Sequence, residues 1–381
     1  MKPPAYKRCI WIVLFYLILF PVPANSIDYQ IKEFPIPTNY SRSVDIAVDS
    51  TGDIWFVEEN ANKLARFDAK NSAFEEFDIP YKNAGPSSIS IKNDVVWLAL
   101  ALDNSIASFT PSAKTFKRFQ IPTKDAGPYN IAVDASGAVW FTERNANKIG
   151  RLDPSKNSFK EYPIPTQNSQ PSGITIGRDG LIWFAESIGN KISVLDPKTE
   201  KITEYEVLSS LANPSDVTID NNGNIWFVEI RSNKIGMFDV EKKKFNNAII
   251  PTSSSVPTSI AIDKNNIVWF TENKGNKIGR FDPETAMFTE FDIETQRSLP
   301  TGIAVDKDNT VWFTETDRDA NKMGMLKQGS RVRGQGLGQT KEIPEVKNQK
   351  TKKDIFSIIG GLVLISIAVT ILYLSRRGKG K

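Results

Sequence analysis

Six glutamates each stand three residues after a tryptophan: Glu58, Glu143, Glu186, Glu229, Glu272 and Glu315. Leu100 takes the seventh such place. Recurrent carboxylates at one end of a fold could hold Mg²⁺ or Ca²⁺, which favour oxygen ligands. The plainer reading pairs each Glu with its own polar turn or with the Lys of a following N-K-I-G segment. A second acidic set, Glu315, Asp317 and Asp319, alternates along one loop. That spacing suits a hard cation or a solvated charged loop. The chain has 381 residues, no His and one Cys. Ser–His and Cys–His nucleophile pairs, histidine metal ligands and multi-cysteine zinc sites are therefore excluded.

The elements that must position these residues follow from the tryptophans. Trp55, Trp97, Trp140, Trp183, Trp226, Trp269 and Trp312 are 42, 43, 43, 43, 43 and 43 residues apart. A fixed period of this size marks a repeat fold, and four short strands per repeat mark a propeller blade. The third repeat holds four such runs, IAVD, AVWFTE, NKIGRLD and SFKEYPI, separated by Asp-x-x-Gly, Asn-rich and Asp-Pro turns. The seventh repeat ends near Leu326 without an outer strand, and a matching segment, QIKEFPI at 30–36, precedes the first. The sequence thus predicts an all-β, seven-bladed β-propeller over 28–328, its ring closed by the N-terminal strand. The repeated Trp is expected to pack between blades.

The ends carry different signals. Residues 1–24 run from Lys2, Lys7 and Arg8 through an uncharged stretch of 12 residues to Val22-Pro23-Ala24. This is the order of a secretory signal peptide. Residues 329–353 lack apolar periodicity and read as a basic flexible linker. The 20 uncharged residues 355–374, starting at Ile355 and ending at Leu374, fit a transmembrane helix. Arg376, Arg377, Lys379 and Lys381 in the tail 375–381 place it in the cytoplasm and the propeller outside, at the cell membrane. The net charge of +4 belongs to these ends. The repeat region holds 34 basic and 41 acidic residues, a net of −7. A nucleic-acid partner is not expected.

The repeat P-x-x-I-x-V-D-x-x-G-x-I-W-F-T-E-x-x-x-N-K-I-G-R is clearest at Trp140–Glu143 with Asn147–Arg151, and at Trp269–Glu272 with Asn276–Arg280. It resembles the virginiamycin B lyase (streptogramin lyase) family of seven-bladed propellers. The resemblance implies opening of a cyclic depsipeptide antibiotic by elimination at its ester, with Mg²⁺ at the propeller mouth. It also implies two histidines after the turn prolines of the sixth and seventh blades, where this chain has Thr258 and Thr301. The family's first-blade tyrosine falls on Val44, and its last-blade glutamate on Glu315. Threonine is no neutral-pH base without an activating partner. No lyase activity by the family mechanism is expected.

The turn residues Tyr129, Asn130, Ser172, Ser215, Asp216, Thr258 and Thr301 are expected to line the mouth beside Arg144 and Arg231. The apolar run Trp97–Leu102 in blade 2 reads as a ligand-facing patch or as tighter packing of one blade. These residues suit an extracytoplasmic small molecule, glycan or protein partner. A lyase or hydrolase that acts on a cyclic ester or lactone through Mg or Ca is the alternative, and a structural envelope protein a third.

Overall fold

A computed structural model describes residues 29–329. The segments 1–24 and 330–381, including 355–374, fall outside the described residues, apart from Gly329 at the start of the expected linker. Twenty-eight strands, β1 to β28 in chain order, form seven four-stranded sheets. Every pairing is antiparallel, as hairpin connections allow. Blade 3 is representative: β10 (Pro128–Val133), β11 (Val139–Glu143), β12 (Lys148–Asp153) and β13 (Ser158–Pro163), from inner to outer. Each second strand is buried along its whole length, because neighbouring blades cover both its faces.

One indole per blade seals each junction. Trp140 is 1% exposed, and its Nε1–H donates to Asp134 at 2.9 Å. Trp55, Trp226, Trp269 and Trp312 bond Asp49, Asp220, Asp263 and Asp306 in the same way. The aspartate opens an Asp-x-x-Gly turn in blades 1, 3 and 5 and an Asp-x-x-Asn turn in blades 6 and 7, so one residue closes the hairpin and satisfies the buried indole.

The ring closes as the sequence predicts. Strand β1 (Tyr29–Pro35) pairs with β28 (Lys322–Gln328), in register from Tyr29 opposite Gln328 to Pro35 opposite Lys322. Phe34 lies between Phe67 at 4.7 Å and Trp312 at 6.3 Å. Glu33 accepts from Lys322 at 2.6 Å and from Thr295 at 2.6 Å.

The six glutamates do not form a ring at the mouth. Each closes its second strand opposite the first residue of the inner strand, Glu143 facing Pro128. The strand alternation turns its side chain between the sheets, and all six are at most 1% exposed. A Cβ placed on Gly150 would lie 2.7 Å from Glu143 Oε1, so this carboxyl rests over the glycine's backbone. Of the twelve oxygens of these six carboxyls, eleven lack a partner among the described residues, and Glu186 Oε1 accepts from Ser193 at 2.5 Å.

The expected pairing with the N-K-I-G lysine also fails. Lys63, Lys148, Lys191 and Lys322 turn to the outer-strand carboxylates Glu76, Glu161, Glu204 and Glu33, at 2.6–2.9 Å. These carboxylates also receive a hydroxyl or backbone N–H from the preceding loop, as Thr38 and Thr123 give. Burial works against ionisation of Glu76, but bonds from Lys63 and Thr38 outweigh it and hold the carboxyl below its usual range. The inner glutamates feel the reverse. Burial first, then the neighbouring Glu76, raises Glu58 to about 8. Glu143 and Glu315 reach about 8 through burial and then Glu161 and Glu33. Burial raises Glu186 to about 7 against the Ser193 bond, and raises Glu272, with help from Glu290, to about 7.

Blade 2 replaces the whole set together. Leu100 stands for the inner glutamate, Ser105 for the lysine and Arg118 for the outer glutamate. Leu100 is fully buried in a core cluster, so the apolar run is packing; its exposed end is Leu102, at 75%.

Two predictions follow from this packing. Phe34→Ala should destabilise the propeller by about 3–5 kcal/mol in urea unfolding, since it removes the ring that joins the first and last blades. A loss near zero would mean that closure does not depend on this ring. The second prediction concerns pH. A carboxyl raised from 4.5 to about 7 or 8 in the fold costs no stability below 4.5. That cost grows as pH rises through the folded value. The thermal midpoint should therefore fall between pH 6 and 9. It should also fall below 4.5, where the lowered outer carboxyls Glu33, Glu76, Glu161 and Glu204 protonate. Glu143→Gln should be more stable than wild type at pH 9 and nearly equal at pH 5; a flat wild-type profile from 6 to 9 would contradict this.

Candidate functional site

The inner strands end in turns that ring the axis. Their second turn position reads Asp45, Ser88, Asn130, Gly173, Asp216, Ser259 and Gly302 around the seven blades. Inside lies a cavity of about 300 Å³, lined from six blades. Asp45, Ser88, Tyr129, Asn130, Asp216 and Thr258 carry its chemistry, with Thr301 at the seventh blade.

Both aspartates are held in the same way. Asp45 Oδ2 accepts from Ser88 Oγ at 2.7 Å and from Ile89 N–H at 3.0 Å, both on the next blade. Asp216 Oδ2 accepts from Ser259 Oγ at 2.6 Å and Ile260 N–H at 3.0 Å. Each Oδ1 accepts only the N–H of the following residue, Ile46 or Val217, and keeps acceptor capacity. A glycine precedes each aspartate around the ring. A Cβ on Gly173 would come within 2.7 Å of Asp216 Cα, and one on Gly302 within 3.0 Å of Asp45 Cα. Gly-Asp-Ser thus recurs twice across successive blades, with Asn130 as the odd member. Asn130 donates to Ser88 Oγ and accepts from Ile174 N–H, both at 3.2 Å.

No Lys or Arg lines the cavity. Burial, and then the charge of Asp216, raises Asp45 to about 6 against its hydrogen bonds. Burial raises Asp216 as well. Among the described residues, the two acids face a cavity whose wall carries no counter-charge.

The expected mouth residues divide. Tyr129, Asn130, Ser215, Asp216, Thr258 and Thr301 line the cavity. Tyr129 is 37% exposed, and the Arg144 guanidinium lies 4.5 Å from its ring centre. Arg231 is exposed and outside the lining, although Ile230 before it is inside. Ser172 is buried and gives its hydroxyl to Ser215 O at 2.7 Å. Asp45, Ser87, Ser88 and Ser259 line the cavity without having been expected there. Reading the second turn position as one column across the repeats would have exposed the two aspartates.

The two threonines at the histidine positions have no basic neighbour in hydrogen-bond contact. Thr258 Oγ1 shares a bond with Thr271 Oγ1 at 2.9 Å. Thr301 Oγ1 donates to Leu299 O at 3.0 Å and meets Asn273 Nδ2 at 3.3 Å. Neither can serve as a general base.

Of the two readings of the blade 7 loop, a cation site or a solvated charged loop, the first needs acidic residues that converge, and these do not. Glu315 is buried inside the blade, Asp317 Oδ1 caps Asp319 N–H at 3.0 Å, and Asp319 is exposed. Among the described residues no three His, Cys, Asp or Glu side chains are grouped to hold a metal. The inner glutamates Glu58, Glu143, Glu186, Glu229, Glu272 and Glu315 are one to each blade and enclosed there. The residues present do not fit the Mg²⁺ that the family resemblance implies.

A profile of the virginiamycin B lyase family matches residues 93–326. A search of curated proteins found no match. Among solved structures, the virginiamycin B lyase from Staphylococcus aureus is 30% identical, with a TM-score of 0.74. That match covers 78% of this chain and 99% of the lyase. A streptogramin B lyase structure is 31% identical over 79% of this chain and 98% of its own, at a TM-score of 0.75. An extracellular domain from B. thetaiotaomicron shares the fold at 17% identity and a TM-score of 0.61, over 79% of this chain and 42% of its own. The repeat, the closed ring of seven blades and these matches lead to one conclusion: the chain belongs to the virginiamycin B lyase family.

Proposed function

We propose that this propeller is a binding module that takes a small cationic molecule into its axial cavity, without streptogramin lyase activity. The observation that carries the proposal is the pair Asp45 and Asp216 in a cavity without a basic side chain. A carboxylate in a partly desolvated space attracts a protonated amine more strongly than it would in water, and the second acid adds an acceptor beside it. The serine and threonine hydroxyls and the Tyr129 ring add hydrogen bonds and a cation-attracting face. We further propose that the module works outside the cell, held at the membrane by residues 355–374.

The absence of lyase chemistry in this proposal rests on Thr258 and Thr301 and on the unassembled metal site. Incubation with virginiamycin B and Mg²⁺ should leave the antibiotic cyclic; a linear product that disappears in Glu315→Gln would overturn that half. For the binding half, putrescine is a suitable diamine probe. Calorimetry should show saturable binding at pH 7.5. Affinity should fall several-fold by pH 5, because Asp45 protonates near 6. The double variant Asp45→Asn, Asp216→Asn should lose the binding, and unchanged affinity in that folded variant would refute the site.

A further inference from the structure

Six of the seven blades cover the face of their tryptophan with an aromatic ring from the outer strand. The pairs are Trp55–Phe77, Trp97–Phe119, Trp140–Tyr162, Trp183–Tyr205, Trp269–Phe291 and Trp312–Phe34. Ring centres lie 5.8–6.3 Å apart. In four cases the same ring also bridges to an aromatic of the next blade, as Phe77 does to Phe109 at 4.7 Å and Tyr205 to Phe238 at 4.5 Å. In three blades a lysine two residues earlier lies over the ring: Lys32, Lys117 and Lys160.

Blade 5 departs at each of these places. Its outer strand (Lys244–Ile249) puts Ala248 opposite Ile235, where blade 3 puts Tyr162 opposite Ile149. Asn246 stands at the lysine position. Asn247 stands where Glu161 does in blade 3. The missing ring leaves a cavity of about 240 Å³ between Trp226, Ile235, Met237, Ala248 and Phe281, with Asn246 and Asn247 at its lining. Phe281, on the next blade, is 6% exposed, whereas its counterparts Phe67 and Phe109 are fully buried. The Trp226 Nε1–H already donates to Asp220, so the indole offers the cavity its face rather than its edge donor.

We infer that this slot beside Trp226 is a second binding site, for the single phenyl or phenol ring of a small molecule. The chain's own repeats define the occupant: four carry a phenyl ring in this position and two a phenol. An indole face prefers an offset or tilted ring to water. The two asparagine amides give a phenolic hydroxyl a polar neighbour at the rim, where three other blades carry Lys at the first place and five carry Glu at the second. The site lies on the flank between blades 5 and 6, and it does not depend on the axial cavity or on its ligand.

The test uses p-cresol and toluene, the side-chain fragments of Tyr and Phe, with ¹⁵N-labelled propeller. The indole N–H signal of Trp226 should shift saturably with p-cresol, and the other six indoles should not. Ala248→Phe should fold, raise the thermal midpoint by several degrees and weaken the response at least tenfold. Asn246→Lys, which restores only the cover, should weaken it less. Absence of any Trp226 shift up to the solubility limit would overturn the inference. So would an undiminished response in folded Ala248→Phe, or an Ala248→Phe variant that is destabilised because the ring does not fit.

Discussion

Every blade buries an indole, in five of them an aspartate also satisfies its N–H, and most of the structure follows from that burial. Burial at the blade junction supplies apolar contact, but an unpaired indole donor there would cost about 1–3 kcal/mol. The Asp-x-x-Gly turn resolves this by placing a carboxylate six residues before the tryptophan, as Asp134 serves Trp140. Blade 4 has Gly177 at that place, and blade 2 has a hairpin one residue shorter. Their indoles, Trp183 and Trp97, are held by packing alone among the described contacts. With the turn, the indole and its covering ring committed to architecture, variation is left to the loops and to the inner ends of the strands. Those inner ends are where Asp45 and Asp216 stand.

The architecture was legible because each of its rules is local and repeated. The Trp period set the blades, and QIKEFPI before the first repeat announced how the ring closes. The direction of the glutamates was not legible. Strand alternation puts Glu143 on the face of Phe141, yet nothing local says whether that face meets solvent or another sheet. The lysine beside it was assigned the wrong partner for a similar reason. Glu161 reaches Lys148 only through the outer strand, 13 residues on. Asp45 was missed because its turn begins with Ser43 rather than Pro, which hides its kinship with Asp216.

Family membership accounts for the scaffold but does not transfer chemistry. Thr258 and Thr301 keep the hydroxyl polarity of the mouth without the imidazole that titrates near neutrality. The buried glutamates point the same way. Burial holds Glu58, Glu143, Glu186, Glu272 and Glu315 above the usual carboxylate range, and blade 2 shows that leucine can stand in such a place when the lysine and outer glutamate change with it. Blade 5 keeps Glu229 and Lys234 while Asn247 stands in the outer place, and there Lys234 bonds Ser209 instead.

Ring closure by the first strand also bears on the order of folding. Blades 1 to 6 are made of neighbouring hairpins and can form as the chain is synthesised. Strand β1 emerges first, but its partner β28 follows almost three hundred residues later. Until then its hydrogen-bonding edge and the Phe34 ring have no native partner, the condition under which strands pair wrongly with other chains. Closing so long a loop is entropically unfavourable and slow relative to hairpin formation. The propeller therefore has a built-in last step, in which the earliest-made residues complete the latest-made blade. During that interval Lys32 and Glu33, which flank the strand's exposed face, are the charges that would keep the waiting edge soluble.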